Sequence, residues 1–378
     1  MYLQILICII ALLLYTRYIS HSYLLLGERN KRRVIDQYIA IMTFLLILQS
    51  ALRNVAVGAD TYAYFRTYER ISKESWDYIF GLFRKTYLEG EGKDPGYTVL
   101  CKSLQLITTN FRIFLFAVAI FFFSGLSKML RIMKLNLSSV LIAMMVYQAL
   151  YYDFFSITGI RQTIATGFFF YAYPYIIKRR FIPYLIMIVL AATIHKSVLI
   201  LLPFYFISVF PKPRLLLVVS LIALPFLFGL ARSFAVYITA FSMFESYAMF
   251  AESTYETSGA VSFTAFLVLT VLLILLTSGK AKKMSKIEII SINAMSLAVV
   301  SAPLTWVDPS LMRVCQYFSI FTLFILGPAI QHFCCQYRVN YQNIFILVLV
   351  VFIGVIIKRG QTYAFFWQEM KLPDNYFM

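Results

Sequence analysis

Charged residues are scarce in this chain, and acidic ones are scarcest. Only 13% of the 378 residues are charged, and 34 basic residues stand against 17 acidic ones. An average soluble domain is about a quarter charged. The three histidines are far apart, and the five cysteines include one adjacent pair, Cys334 and Cys335, but no C-x-x-C pair, so we expect neither a disulfide framework nor a metal site.

Recognisable catalytic motifs are also missing. The chain has no G-x-S-x-G nucleophile elbow, no phosphate-loop glycine pattern and no H-E-x-x-H motif. We therefore expect no cofactor. The net charge of +17 would suggest a nucleic-acid partner in a soluble protein, but basic loops also hold the topology of membrane proteins. The hydrophobic content favours the second interpretation, so nucleic acid is not an expected partner.

Long apolar runs dominate the sequence instead. Hydrophobic residues make up 61% of the chain, and the runs reach roughly 18 to 20 residues, the length at which a helix spans a bilayer. We predict an all-α protein, a polytopic transmembrane bundle of about twelve helices that forms one integral-membrane domain over residues 1–378. The predicted spans are 1–18, 37–53, 111–127, 137–156, 159–177, 181–194, 197–210, 213–231, 260–278, 287–305, 313–330 and 341–357.

The loops between these spans alternate in charge. Loops rich in lysine and arginine, such as 29–33 and 178–180, are placed in the cytoplasm by the positive-inside rule, which leaves both termini on the outer side. Two aromatic-rich segments, 56–110 and 232–259, then lie on the outer face. They could form an interfacial aromatic belt or a platform for sugar rings. Within the first of them, 97–107 is predicted to be an interfacial helix.

Ionisable residues that intrude on the apolar segments gather at the predicted outer ends of different spans. Such residues are costly near lipid and usually face a cavity or a partner. Several of them at one level therefore indicate a built site. They are Arg53, Asp60, Arg161, His195, Lys196, Asp308 and Arg313.

Two of these arginines lie at helix ends. Arg53 closes a span ahead of a glycine turn, after which Asp60 or Thr61 is expected to cap the next helix. Arg53 could snorkel to headgroups or grip an anion through its planar fork. Arg161 begins a span, where a cation disfavours the helix but a phosphate would also meet backbone N–H groups. We interpret Arg161 as part of an anion site.

His195 and Lys196 interrupt the apolar run 182–206. We predict two short helices that meet at this pair, like the broken helices that line ligand cavities. An imidazole titrates near neutral pH, so His195 could accept a proton or donate a hydrogen bond. Further along, Arg313 and Tyr317 lie one helical turn apart, and Asp308 could pair with Arg313. Several arginines at one level suggest a multiply charged anion such as pyrophosphate.

The motifs together resemble the EpsG family. The likeness covers about residues 40–330, and a late arginine–tyrosine pair, Arg313 with Tyr317, fits more loosely. The family usually has a small residue after the histidine, where this chain has Lys196. The motifs are Arg53 with Val57-Gly58-Ala59-Asp60-Thr61 and Tyr64; Asp94-Pro95-Gly96-Tyr97; Arg161-Gln162 with Ala165; and Ala192-Thr193-Ile194-His195-Lys196-Ser197.

EpsG proteins look like the Wzy-type polymerases of bacterial surface polysaccharides such as O-antigen, exopolysaccharide and capsule. The resemblance implies a metal-independent glycosyltransferase with a GT-C-like fold in the bacterial cytoplasmic (inner) membrane. It would transfer a growing glycan from undecaprenyl pyrophosphate onto an incoming lipid-linked repeat unit at the outer face. The implied partners are that lipid-linked oligosaccharide, membrane lipid, and chain-length regulator and flippase proteins. A ligase with the same donor and a lipid-linked oligosaccharide flippase are the alternatives.

On this hypothesis the ionisable residues divide the chemical work. Arg161 and Arg313 stabilise the leaving pyrophosphate, Arg53 orients a pyrophosphate, and His195 or Asp60 removes a proton from the acceptor hydroxyl. The expected substrate-binding residues are Asn54, Thr61, Tyr64, Gln162, Lys196 and Tyr317.

Overall fold

A computed structural model describes residues 2–19, 26–90, 92–239, 258–277, 284–360 and 362–371. Helices make up most of this part of the chain, and in it the one bridge between extended segments pairs Arg53 with Phe365. The predicted all-α class is confirmed. The α-helices are α1 (Tyr2–Ile19), α2 (Glu28–Ala51), α3 (Thr61–Lys73), α4 (Trp76–Leu88), α5 (Pro95–Gln105), α6 (Phe111–Ile132), α7 (Leu137–Val146), α8 (Ile160–Ile177), α9 (Phe181–Ile194), α10 (Leu201–Ile207), α11 (Pro213–Thr239), α12 (Ser258–Thr277), α13 (Lys286–Ser301), α14 (Met312–Ser319), α15 (Thr322–Tyr337) and α16 (Tyr341–Arg359).

Helices of other types extend some of these elements. A π-helix, Tyr147–Thr158, continues α7, and 3₁₀ helices precede α10 (Lys196–Ile200), follow α13 (Ala302–Trp306) and precede α14 (Pro309–Leu311). A π-helix widens the turn and is often found at functional sites. Here it leads directly to the start of α8, where Arg161 lies.

The helices make this chain a multi-pass membrane protein. Among the described residues, seven helical segments are long and apolar enough to cross a membrane, and α14 with α15, bent by 50°, gives an eighth if the pair is one span. The helix α1, the helix α9 and the segment Lys196–Ile207 are apolar but shorter. Every predicted span contains a helix, whereas the count of twelve spans, the GT-C-like fold and the sidedness of the termini stay predictions.

The contacts divide the chain into two compact units. The first consists of Met1–Trp76, Tyr97–Tyr171 and Gln342–Met378, and the second of Asp77–Gly96 and Ala172–Tyr341. The prediction of one integral-membrane domain over residues 1–378 stays a prediction.

Apolar packing in the first unit encloses a few satisfied polar groups. Helix α2 packs against α6, and α1 packs against α7. The buried Gln148 amide donates to Gln49 Oε1 at 2.8 Å, and the Gln4 amide donates to the Gln148 carbonyl at 3.3 Å. Interhelical amide pairs of this kind satisfy polar groups that would be costly in an apolar interior.

In the second unit, α13 is the central helix. It packs against α11 and α14, while α12 packs against α15. The buried Asn293 on α13 donates through Nδ2 to the carbonyls of Ile207, Ser208 and Phe210, at 3.2, 2.9 and 3.1 Å. These carbonyls lie at the end of α10 and just beyond it, where intrahelical partners run out, so Asn293 fixes that end.

The two predicted outer segments differ in what the structure shows. Segment 56–110 contains three helices, α3, α4 and α5, and the predicted interfacial helix 97–107 falls largely on α5. Of segment 232–259, residues 232–239 end α11 and 258–259 begin α12, while the part from 240 to 257 lies outside the described residues. The sugar-platform and aromatic-belt interpretations of both segments stay predictions.

Candidate functional site

Arg53 lies in a closed turn after α2, within the first unit. The residue is 3% exposed, and its guanidinium donates to the Ser50 carbonyl, to Ser50 Oγ and to Thr61 Oγ1, the last two at 3.4 Å. Thr61 in turn donates to the Ile157 carbonyl at 2.9 Å. Burial lowers the pKa of Arg53 to about 10, so the side chain stays charged at neutral pH. Gly58 turns the chain here with φ +87°, and a Cβ would collide with Ile157.

The C-terminal segment pairs with this turn. The Asn54 N–H donates to the Ala364 carbonyl at 2.8 Å, and the Phe366 N–H donates to the Leu52 carbonyl at 2.9 Å. The Asn54 side-chain amide donates to the Gln368 carbonyl at 2.7 Å. Polar groups of the turn therefore form hydrogen bonds with the protein's own backbone. The predicted substrate roles of its residues stay predictions.

Asp60 occupies the N-cap position of α3, as predicted, but its side chain makes no capping hydrogen bond. Its carbonyl accepts the Tyr64 N–H at 3.0 Å. Thr61 is the first helical residue, and its hydroxyl bonds to Ile157 rather than to its own helix. The predicted cap position is therefore right for Asp60, but the Asp60 side chain makes no capping hydrogen bond and the Thr61 hydroxyl is taken by a tertiary contact.

Arg161 is half-buried in the first turn of α8, also in the first unit. Its guanidinium carbon lies 5.7 Å from the ring centroid of Tyr64 and 5.9 Å from that of Tyr97. Its Nε donates to Tyr64 Oη at 3.4 Å. The first turn of a helix presents backbone N–H groups and the positive end of the dipole. Arginine and helix start together make a place that suits an oxyanion.

His195 lies at the break between α9 and the 3₁₀ helix Lys196–Ile200, in the second unit, as the sequence predicted. Asp94 Oδ2 lies 3.7 Å from His195 Nδ1, and the two side chains are only 1% and 3% exposed. Asp94 Oδ1 accepts the Lys196 backbone N–H at 3.3 Å. One carboxylate therefore caps the 3₁₀ helix and faces the imidazole.

Asp94 lies in the motif Asp94-Pro95-Gly96-Tyr97 but was not among the predicted site residues. Gly96 in the same motif lies against α9, because a Cβ there would be 2.9 Å from the backbone carbon of Thr193. The Lys196 ammonium lies 6.0 Å from the ring centroid of Tyr87. The end of α4, Asp94 and the start of α5 thus all lie against the break or the end of α9.

The remaining predicted residues of the second unit lie around α14. Tyr317 is fully buried, and its hydroxyl lies 3.2 Å from Ser197 Oγ, just after the break. Arg313 is half-buried in the first turn of α14. Asp308 accepts the Ser310 N–H at 2.7 Å, so it shapes the turn that leads to α14.

The predicted residues therefore fall into two sets, one in each unit. The first contains Arg53, Asn54, Asp60, Thr61, Tyr64, Arg161 and Gln162, and the second contains His195, Lys196, Asp308, Arg313 and Tyr317. Among the described residues, no three His, Cys, Asp or Glu side chains form a group that could hold a metal ion; metal independence stays a prediction.

The family model for EpsG matches residues 36–369. The chain belongs to the EpsG family. The resemblance that rested on separate motifs is thus confirmed, and it extends over nearly the whole chain, in a family related to Wzy-like polymerases. No curated protein and no solved structure matched the chain. The Arg53, Asp94, Arg161 and His195 motifs all lie within the EpsG match.

Proposed function

We propose that this EpsG protein is a polysaccharide polymerase at the outer face of the bacterial cytoplasmic membrane. It transfers a growing glycan from undecaprenyl pyrophosphate onto an incoming lipid-linked repeat unit. Membership of the EpsG family and the membrane-spanning helices support the polymerase class. The observation that carries the proposal is Arg161, a half-buried guanidinium at a helix start.

The proposed reaction requires that negative charge on the leaving pyrophosphate be stabilised. The acceptor hydroxyl oxygen bonds to the anomeric carbon while the bond from that carbon to the phosphate oxygen breaks, and the lipid pyrophosphate leaves with the electron pair of the broken bond. Donors already in place where that charge grows lower the barrier most. Arg161 supplies a planar fork and α8 supplies backbone N–H groups; Arg313 is the second proposed donor. Lipid pyrophosphate is itself the leaving group, so the proposed reaction needs no nucleotide sugar.

His195 is the better supported of the two candidate proton acceptors. The Asp94 carboxylate faces Nδ1 of the imidazole, and a carboxylate in that position orients the ring and stabilises the imidazolium formed on proton transfer. The accepting atom is then Nε2. Because the His195 side chain is only 3% exposed, an acceptor hydroxyl reaches it only after a local rearrangement at the break. Asp60 remains the alternative acceptor.

The test is a reaction of purified protein with lipid-linked repeat units, resolved on a gel. A ladder of products supports a polymerase, a single shift indicates a ligase, and unchanged substrate indicates a flippase. Arg161→Gln should slow ladder growth about 100- to 1000-fold, the usual effect of removing one preorganised donor. Arg66→Gln, which changes an exposed arginine on α3, is the matched control and should leave growth unchanged.

A further inference from the structure

Two tyrosine rings contact the Arg161 guanidinium. Tyr64 comes from α3 and Tyr97 from α5, and the ring centroids lie 5.7 and 5.9 Å from the guanidinium carbon. The two rings also contact each other edge to face, with centroids 5.6 Å apart and planes at 62°. Arg161, Tyr64 and Tyr97 all lie in the first unit, and together they supply one cation and two aromatic rings from three helices.

The rings are held by their own packing. Tyr97 is 4% exposed and Tyr64 is 8% exposed. Tyr97 also packs edge-on against Phe114 of α6, with centroids 6.2 Å apart and planes at 81°. A side chain fixed in this way orients its neighbours without losing further rotamer freedom.

The attraction depends on the ring faces and not on a phenolate charge. Burial raises the pKa of Tyr97 well above its usual value, although the charge of Arg161 acts in the opposite direction. The Tyr97 phenol is therefore neutral at physiological pH. Its ring quadrupole attracts a cation within about 6 Å of the centroid.

We propose that Tyr97 and Tyr64 are positioning residues that hold the Arg161 guanidinium in the orientation that receives pyrophosphate. The Nε of Arg161 donates to Tyr64 Oη at 3.4 Å, so a hydrogen bond adds to the ring contacts of the guanidinium. The inference rests on the proposed function, since it concerns the same anion site. It gives α3 and α5 a function, which is to carry the two rings.

A double-mutant cycle tests the coupling. Undecaprenyl pyrophosphate is the probe, and its Kd is measured with Tyr97→Leu alone, Arg161→Gln alone and both together. Tyr97→Leu should weaken binding roughly 2- to 30-fold, the range of a cation–π contact. In the Arg161→Gln background, the same change should have almost no further effect. Tyr97→Phe keeps the ring and should bind like the wild type, as should the control Tyr78→Leu, which changes an exposed tyrosine on α4.

The outcomes separate the inference from the proposed function. If Tyr97→Leu weakens binding equally in both backgrounds, the ring is merely structural and the inference is overturned. If Arg161→Gln binds like the wild type, the anion site itself fails. Should Tyr97→Leu not accumulate in the membrane, the same cycle with Tyr64→Leu and Tyr64→Phe decides. Tyr64→Phe should raise the Kd only slightly, because it removes one long hydrogen bond to Arg161 and keeps the ring.

Discussion

Replacing Asp94 by asparagine separates two tasks of one carboxylate. In Asp94→Asn an amide oxygen can still accept the Lys196 N–H, while the negative charge beside His195 is lost. Asp94 Oδ2 and His195 Nδ1 are 3.7 Å apart, and both side chains are almost fully buried. Two unit charges near that separation attract by about 4 kcal/mol at an effective dielectric constant of about 20. This attraction arises only as the imidazole gains its proton.

The attraction therefore acts on the transition state more than on the fold. If half of it or all of it is realised there, its loss slows chain growth about 30- to 1000-fold. The free energy of unfolding of Asp94→Asn should nevertheless lie within about 1 kcal/mol of the wild-type value, because the hydrogen bond to the Lys196 N–H survives. Asp94→Ala should lose both growth and stability, since a buried N–H is left without its acceptor.

The assay combines two measurements on detergent-purified protein. Initial rates of ladder formation report chain growth, and thermal unfolding reports stability. Asp77→Asn, an exposed carboxylate of α4, is the matched control and should change neither. The catalytic reasoning would be refuted if Asp94→Asn formed the ladder at the wild-type rate while Asp94→Ala lost thermal stability. Asp94 would then only cap the 3₁₀ helix.

Three further predictions concern other contacts. Arg161→Lys should slow chain growth at least tenfold in the ladder assay, because an ammonium cannot offer the bidentate fork. Gly96→Ala should destabilise the protein by about 1–3 kcal/mol in thermal unfolding, since the added methyl group meets Thr193 and overpacks the contact. Asn293→Leu should lower stability by a similar amount, about 1–3 kcal/mol, because carbonyls beyond α10 lose their donor; unchanged unfolding would contradict that account.

Helix positions were predictable because hydropathy is a local property. Each predicted span contains a helix, and the break at His195 appears where two ionisable residues interrupt an apolar run. The number of membrane crossings was harder to predict. Helices such as α9, with 14 residues, are apolar but short, so their composition alone does not say whether they span.

Arg161 shows what sequence could reveal about the site, and Asp94 shows what it could not. A cation at the start of an apolar helix is unusual by itself, so Arg161 could be predicted as a site residue from the sequence. The partner of Asp94 is the backbone N–H of Lys196, 102 positions away, and no local pattern encodes that pairing. The same holds for Asn54 and Gln368, which are separated by 314 positions.

Arg53 is a case in which the sequence favoured a ligand or lipid and the structure shows protein partners. A guanidinium after an apolar helix does not reveal whether a distant chain segment will satisfy it. In the structure, Ser50 and Thr61 accept its hydrogen bonds, and the C-terminal segment pairs with its turn. A role for Arg53 toward pyrophosphate therefore requires that this turn open.

The most direct test of the central claim is to count the lipid pyrophosphate released for each linkage formed. With purified wild-type protein and lipid-linked repeat units, without nucleotides, we expect one undecaprenyl pyrophosphate for every repeat unit added, and release about 100- to 1000-fold slower in Arg161→Gln. Chain growth without release of lipid pyrophosphate, or wild-type release by Arg161→Gln, would contradict the assignment of Arg161 to the leaving pyrophosphate.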